Sequence, residues 1–122
     1  MLLALAVAAA AGLGAVARYL LDQFVGHWVS SEFPYGTLVI NVSGSLVLGL
    51  VLGLAMHHGL TNAPTTVIGA GFAGGYTTLS TWAYETLVLA EEREYRQAAI
   101  NVVASAGLGL AAAAAGFALA LL

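Results

Sequence analysis

The chain has 122 residues, of which 61% are hydrophobic and 7% charged, with a mean hydropathy of +0.94 and a formal net charge of −3. A water-soluble domain of this length needs far more charge to cover its surface. Three arginines, no lysine and six acids supply no basic face for nucleic acid. The absence of cysteine excludes a disulfide framework and a thiolate metal site.

Four apolar segments reach the roughly 20 residues that a helical membrane span requires. The first covers about Leu2–Val25; no basic stretch precedes its apolar run, so it reads as a retained span rather than a cleaved signal peptide. A loop with His27, Ser30, Ser31, Glu32 and Pro34 leads to the second span, Gly36–Met56. His57-His58-Gly59 and Thr61-Asn62-Ala63-Pro64 close it, and the third runs from about Thr65 to Ala90. The charged loop Glu91-Glu92-Arg93-Glu94-Tyr95-Arg96 precedes the fourth, about Gln97–Leu121. The expectation is one all-α integral membrane domain over residues 1–122, with no linker or second domain. An even number of crossings puts both termini on one side. Arg18, Arg93 and Arg96 fall toward the other side, which the positive-inside rule makes cytoplasmic. Three arginines are a small bias, and insertion in both orientations is left open.

Spans two and four carry matching stripes. Asn41, Ser45, Gly49 and Gly53 recur every four residues, as do Asn101, Ser105, Gly109 and Ala113, so each set lies near one helical face. Small residues permit close helix approach, with Asn or Ser bonding across the contact. Amide N–H and hydroxyl groups are also the donors that can replace water around a small anion, and an amide in hydrocarbon is costly unless satisfied. Both uses fit Asn41 and Asn101. Arg18, the one basic residue inside a span, either snorkels to the interface or draws anions into a vestibule. Glu85 is an intramembrane acid and hence a functional candidate. His27, His57 and His58 have no third ligand at metal spacing and are read as interfacial.

The third span is the unusual one. Residues 69–85 contain four glycines, a run of hydroxyl side chains and an acid inside an otherwise apolar segment. Such a segment is tolerated in lipid only where protein or a water-filled cavity shields its backbone, and broken spans of this kind are where membrane proteins place ions. Gly74-Gly75 followed by Tyr76-Thr77-Thr78 divides the span into two halves. Carbonyls at the end of the first half suit a small hard cation such as sodium. Thr77, Thr78, Ser80 and Thr81 offer hydrogen bonds at the start of the second, flanked by Tyr76 and Trp82. Aromatic ring edges carry partial positive charge and can face an anion.

On these residues the chain resembles the Fluc (CrcB) fluoride channels over its whole length. Gly12-Leu-Gly-Ala-Val-Ala-Arg18-Tyr19 is similar to the glycine–Arg-Tyr signature of the family's first span. Gly36-Thr37-Leu38-Val39-Ile40-Asn41 is similar to its Gly-Thr-Leu-x-x-Asn opening of the second. Residues 71–82, Gly-Phe-Ala-Gly-Gly-Tyr-Thr-Thr-Leu-Ser-Thr-Trp, resemble the Thr-Thr-Phe-Ser-Thr-Phe box of the third. The resemblance implies an antiparallel, dual-topology dimer in the cell membrane. It would have two fluoride pathways and a structural sodium held by the carbonyls of Gly74 and Thr77 from both subunits. It further implies that Asn41 donates to fluoride, with Ser80, Thr81 and Ser105 along a polar track. Arg18 would belong to a vestibule and Glu85 to the outer pathway. The implied activity is passive fluoride efflux, without nucleotide, organic cofactor, nucleic acid or catalysis.

Three positions depart from the family pattern. Leu79 and Trp82 stand where the family has phenylalanines, and Asn101 where many relatives place a tyrosine. Tryptophan keeps an aromatic edge and adds an N–H donor, whereas leucine offers neither. One explanation is a second copy of the chain forming a homodimer with altered pore chemistry. The other is a homologous partner subunit, with one pathway degenerate. A small multidrug transporter, also four spans, needs a membrane-centre carboxylate in its first span, and none precedes Asp22 here.

Overall fold

The computed structural model describes residues 1–122 and is built entirely of helices. Three are long and apolar enough to cross a membrane: α1 (Leu2–Trp28), α2 (Tyr35–His57) and α6 (Tyr95–Leu119). Between α2 and α6 the chain forms α3 (Asn62–Thr66), a π-helical stretch (Val67–Ala73), the single turn α4 (Gly74–Tyr76) and α5 (Leu79–Glu91). Thr77 and Thr78 are extended, with φ/ψ of −75/158° and −146/114°. Within the Gly74–Thr78 stretch expected to divide the segment, the interruption falls on Thr77 and Thr78, and Gly74-Gly75-Tyr76 stays helical.

The reason is a tertiary contact. The Thr78 N–H bonds to Asn41 Oδ1 of α2 at 2.8 Å instead of to the Gly74 carbonyl one turn back. A helix that loses its next donor to a better partner stops there. Thr78 then caps the next helix: its hydroxyl accepts the Thr81 N–H at 3.2 Å, starting α5. The charged connection is shorter than expected, because Tyr95 and Arg96 already belong to α6. Arg93 closes α5 in the left-handed region at φ 65°. Its N–H bonds to the Ala90 carbonyl and that of Glu94 to the Leu89 carbonyl, a Schellman end built without glycine.

α2 is the central helix and touches every other helical element. Against α6 it packs backbone to backbone. A Cβ on Gly49 would strike the Ala113 carbonyl, and one on Gly116 the Leu46 carbonyl. α1 lies on the other flank, against the π-helical stretch and α4, where Gly75 meets the Ala11 backbone as closely. These contacts explain the four-residue spacing of small side chains.

Only 16 of the 122 residues are buried, and the exposed ones include Leu5, Leu13, Phe24, Leu52, Val103 and Leu110. An apolar exterior of this extent calls for lipid or another protein chain, not water. The molecule is a multi-pass membrane protein.

Candidate functional site

A cleft of about 410 Å³ opens where the chain is extended, walled by α2, α5 and α6. Asn41 and Ser45 enter it from α2, Thr77 and Thr78 from the interruption, Leu79 and Trp82 from α5, and Ser105 from α6. Asn41 holds the interruption from both sides. It accepts the Thr78 N–H through Oδ1, and its Nδ2 donates to the Thr78 carbonyl at 3.0 Å. A primary amide has two N–H donors, so one remains for whatever occupies the cleft. Gly44, one turn further along α2, seats the Thr77 methyl group where any side chain would collide with it.

The serines are bonded within their own helices: Ser45 Oγ donates to the Asn41 carbonyl at 2.8 Å and Ser105 Oγ to Asn101 Oδ1 at 3.4 Å. A hydroxyl exchanges such a bond for one to an anion by rotating about Cβ–Oγ. Trp82 Nε1 reaches the Asn101 carbonyl at 3.4 Å, so the indole's donor is taken up by α6. Leu79 is 76% exposed in the single chain and offers the cleft only methyl groups.

The other expected site residues lie elsewhere. Ser80 and Thr81 are outside the cleft lining and serve the cap of α5: the Thr78 hydroxyl donates to Thr81 Oγ1 at 2.9 Å and lies 3.4 Å from Ser80 Oγ. Asn101 is 0% exposed and sits behind Trp82. Its Nδ2 donates to Thr86 Oγ1 at 2.9 Å. Glu85 faces a second cavity, of about 500 Å³, at the end of the molecule where α1 meets α2. Its Oε1 accepts from the buried Thr37 hydroxyl at 2.9 Å, and its Oε2 is buried without a hydrogen-bond partner. Asp22 and His27 line the same cavity. Arg18 is half-buried one turn before Asp22 on α1 and is not among the lining residues.

For a cation, the structure offers carbonyls only. No group of three or more His, Asp or Glu side chains is placed to hold a metal ion. The carbonyl of Thr77 receives no hydrogen bond from the chain, and that of Gly74 lacks the donor that Thr78 gave to Asn41. Neutral oxygens of this kind are hard-cation ligands, so Gly74 and Thr77 fit the sodium expected there.

Two contributors were not singled out from sequence. Thr37 was legible as part of the Gly-Thr-Leu motif, but its partner Glu85 is 48 residues away. Thr86 stands one turn beyond Trp82, a spacing that could have drawn notice; its hydroxyl donates to the Trp82 carbonyl at 2.8 Å.

An all-helical membrane protein with a polar cleft at an interrupted helix belongs among the transport proteins that handle ions at broken spans. The profile of the family described as "CrcB-like protein, Camphor Resistance (CrcB)" matches residues 5–117, nearly the whole chain. The chain belongs to that family. It is 50% identical over 115 residues to a fluoride-specific ion channel FluC 1 of Leifsonia xyli subsp. xyli, covering 94% of this chain and 84% of the relative. It is 44% identical over 113 residues to fluoride-specific ion channel FluC of Nitrobacter winogradskyi, covering 92% and 90%. Against fluoride-specific ion channel FluC 2 of Mycobacterium tuberculosis H37Rv, identity is 45% over 102 residues, covering 84% and 78%.

Proposed function

We propose that this chain forms a fluoride-selective channel of the cell membrane that lets accumulated fluoride leave passively. One observation carries the reading: the cleft at Thr77-Thr78 presents a spare Asn41 amide N–H beside the hydroxyls of Ser45 and Ser105. Fluoride is small and strongly hydrated, so a pathway must replace its water with closely set donors and no fixed cation to trap it. Amide and hydroxyl donors meet that need. The tryptophan ring edge at the wall adds weak positive potential without a full charge.

The residues from Asn62 to Glu91 would make the third of four crossings. The 13 residues of α5 rise about 20 Å, short of a hydrocarbon core of about 30 Å. In this reading the two arms cross only end to end, with the interruption near mid-membrane. Two chains in opposite orientations would bring their interruptions together. The Gly74 and Thr77 carbonyls of both would then hold one sodium at the centre. The unbonded Thr77 carbonyl and the wide apolar exterior support this arrangement. Asn41, Thr78, Trp82 and Ser105 line the pathway in this reading, Glu85 stands toward its outer end, and Arg18 lies beyond.

A second reading has the chain as one subunit of an unlike pair, with its own cleft degenerate; Leu79 at the cleft mouth favours it. Purified protein in liposomes loaded with fluoride and chloride separates the two. Fluoride release without chloride release, followed by ion-selective electrodes, is the expected result for one chain acting alone. Release no faster than from empty liposomes by dimeric protein contradicts the homodimer.

A further inference from the structure

We propose that Asn101, together with Thr86, is a positioning residue that fixes the orientation of the Trp82 indole at the cleft wall. The proposal deepens the channel reading and rests on it for its functional consequence. Three hydrogen bonds close a ring between α5 and α6. Trp82 Nε1 donates to the main-chain carbonyl of Asn101, Asn101 Nδ2 donates to Thr86 Oγ1, and the Thr86 hydroxyl donates to the main-chain carbonyl of Trp82. The indole's own bond is to the main chain of α6, and the side-chain bond between Asn101 and Thr86 holds that stretch of α6 against α5 beside the ring.

Burial fixes the direction of the effect. Asn101 is wholly inaccessible and absent from the cleft lining, so it meets no permeating ion in this structure. Its amide is bonded at both ends, to Thr86 and to Ser105 Oγ. A buried amide so satisfied is rigid, and leaving it unsatisfied is costly. Trp82 is half-buried and does line the cleft. With its N–H turned to α6, the indole shows the pathway a carbon edge, a weakly positive surface that attracts an anion without binding it tightly. Releasing the indole would put a strong N–H donor into the path and let the ring swing across it. Asn101 and Thr86 therefore act on the ion through Trp82.

Only Trp28 and Trp82 are present, and Trp28 is exposed on α1, outside both cavities. The test uses Trp28→Phe as parent, so that all tryptophan emission reports on Trp82. Thr86→Val is near-isosteric and removes both hydroxyl bonds, while Thr86→Ser keeps them. The valine variant is expected to shift Trp82 emission to the red by several nanometres. It should also lower fluoride efflux roughly fivefold, the factor that one net hydrogen bond represents. The serine variant should match the parent in both. Should Thr86→Val not fold, Asn101→Ala removes the same amide–hydroxyl bond and is expected to give the same pair of changes. Folded variants with unmoved emission overturn the proposal, and so does moved emission with unchanged efflux. The emission arm needs no flux. A parent that releases no fluoride therefore counts against the channel reading alone, while emission still decides the positioning.

Discussion

The two sides of α2 are held by different chemistry. Toward α6, and on its other flank where α1 meets α4, glycines bring backbones into direct contact and leave no space between them. Toward α5 and the interruption, α2 is joined by side-chain hydrogen bonds: Asn41 to Thr78 and Thr37 to Glu85. Close packing through glycine makes a fixed frame in a bilayer, where apolar burial drives little helix association, and a hydroxyl bond between Ser43 and Tyr76 adds to it on the α4 flank. Hydrogen bonds across a gap hold a segment in place while keeping a cleft open. The glycine contacts give the molecule its shape, and the polar ones define where an ion can go.

The sharpest way to break that distinction is to thicken the frame. Gly116→Val drives a side chain into the Leu46 carbonyl and the Leu50 N–H of α2. Overpacking of this kind costs about 1–3 kcal/mol, and more where backbone must move, and the expected outcome is loss of the folded protein on size exclusion. A variant that elutes and conducts like wild type would show that the α2–α6 contact is not a fixed frame.

Next in size is Asn41→Leu, which leaves both the N–H and the carbonyl of Thr78 without their partner. Each orphaned buried group costs about 1–3 kcal/mol, so a fall in thermal stability should accompany loss of flux. Thr37→Val is milder. It strips Glu85 of its one hydrogen-bond donor and leaves both carboxylate oxygens unpartnered. Stability should drop by about 1–2 kcal/mol, with slower efflux from a disturbed outer pathway. Leu79→Phe is the gentlest. Leu79 is exposed at the mouth of the cleft, so the fold should be untouched and flux equal or higher. Lower flux would mean that leucine suits this pore better than an aromatic ring.

Much of the frame was legible in the sequence. The repeats Asn41–Gly53 and Asn101–Ala113 obey a local helical period, and Gly49 does meet Ala113 across the α2–α6 contact. Asn41 and Ser105 were picked out by polarity inside apolar helices, and both reach the cleft. What could not be read depends on partners distant in the chain. Local propensity places a division somewhere in Gly74–Thr78, but its point, where Asn41 takes the Thr78 N–H, is set by a residue 37 positions away. Asn101 and Ser105 lie on one helical face by spacing alone. Only the indole packed between Asn101 and the cleft separates a buried anchor from a lining residue. The π-helical geometry of Val67–Ala73 has no counterpart in the periodicity of that stretch.

Whether fluoride passes the cleft beside Asn41 is decided by efflux from liposomes carrying wild type and Asn41→Asp side by side, with chloride followed in both. Aspartate keeps an acceptor for the Thr78 N–H but loses both amide donors, the one bonded to the Thr78 carbonyl and the spare one, and adds negative charge. Rapid fluoride-only release is expected from wild type, and release near the empty-liposome rate from folded Asn41→Asp protein. Equal fluoride release from the two would contradict passage beside Asn41 and place the pathway elsewhere.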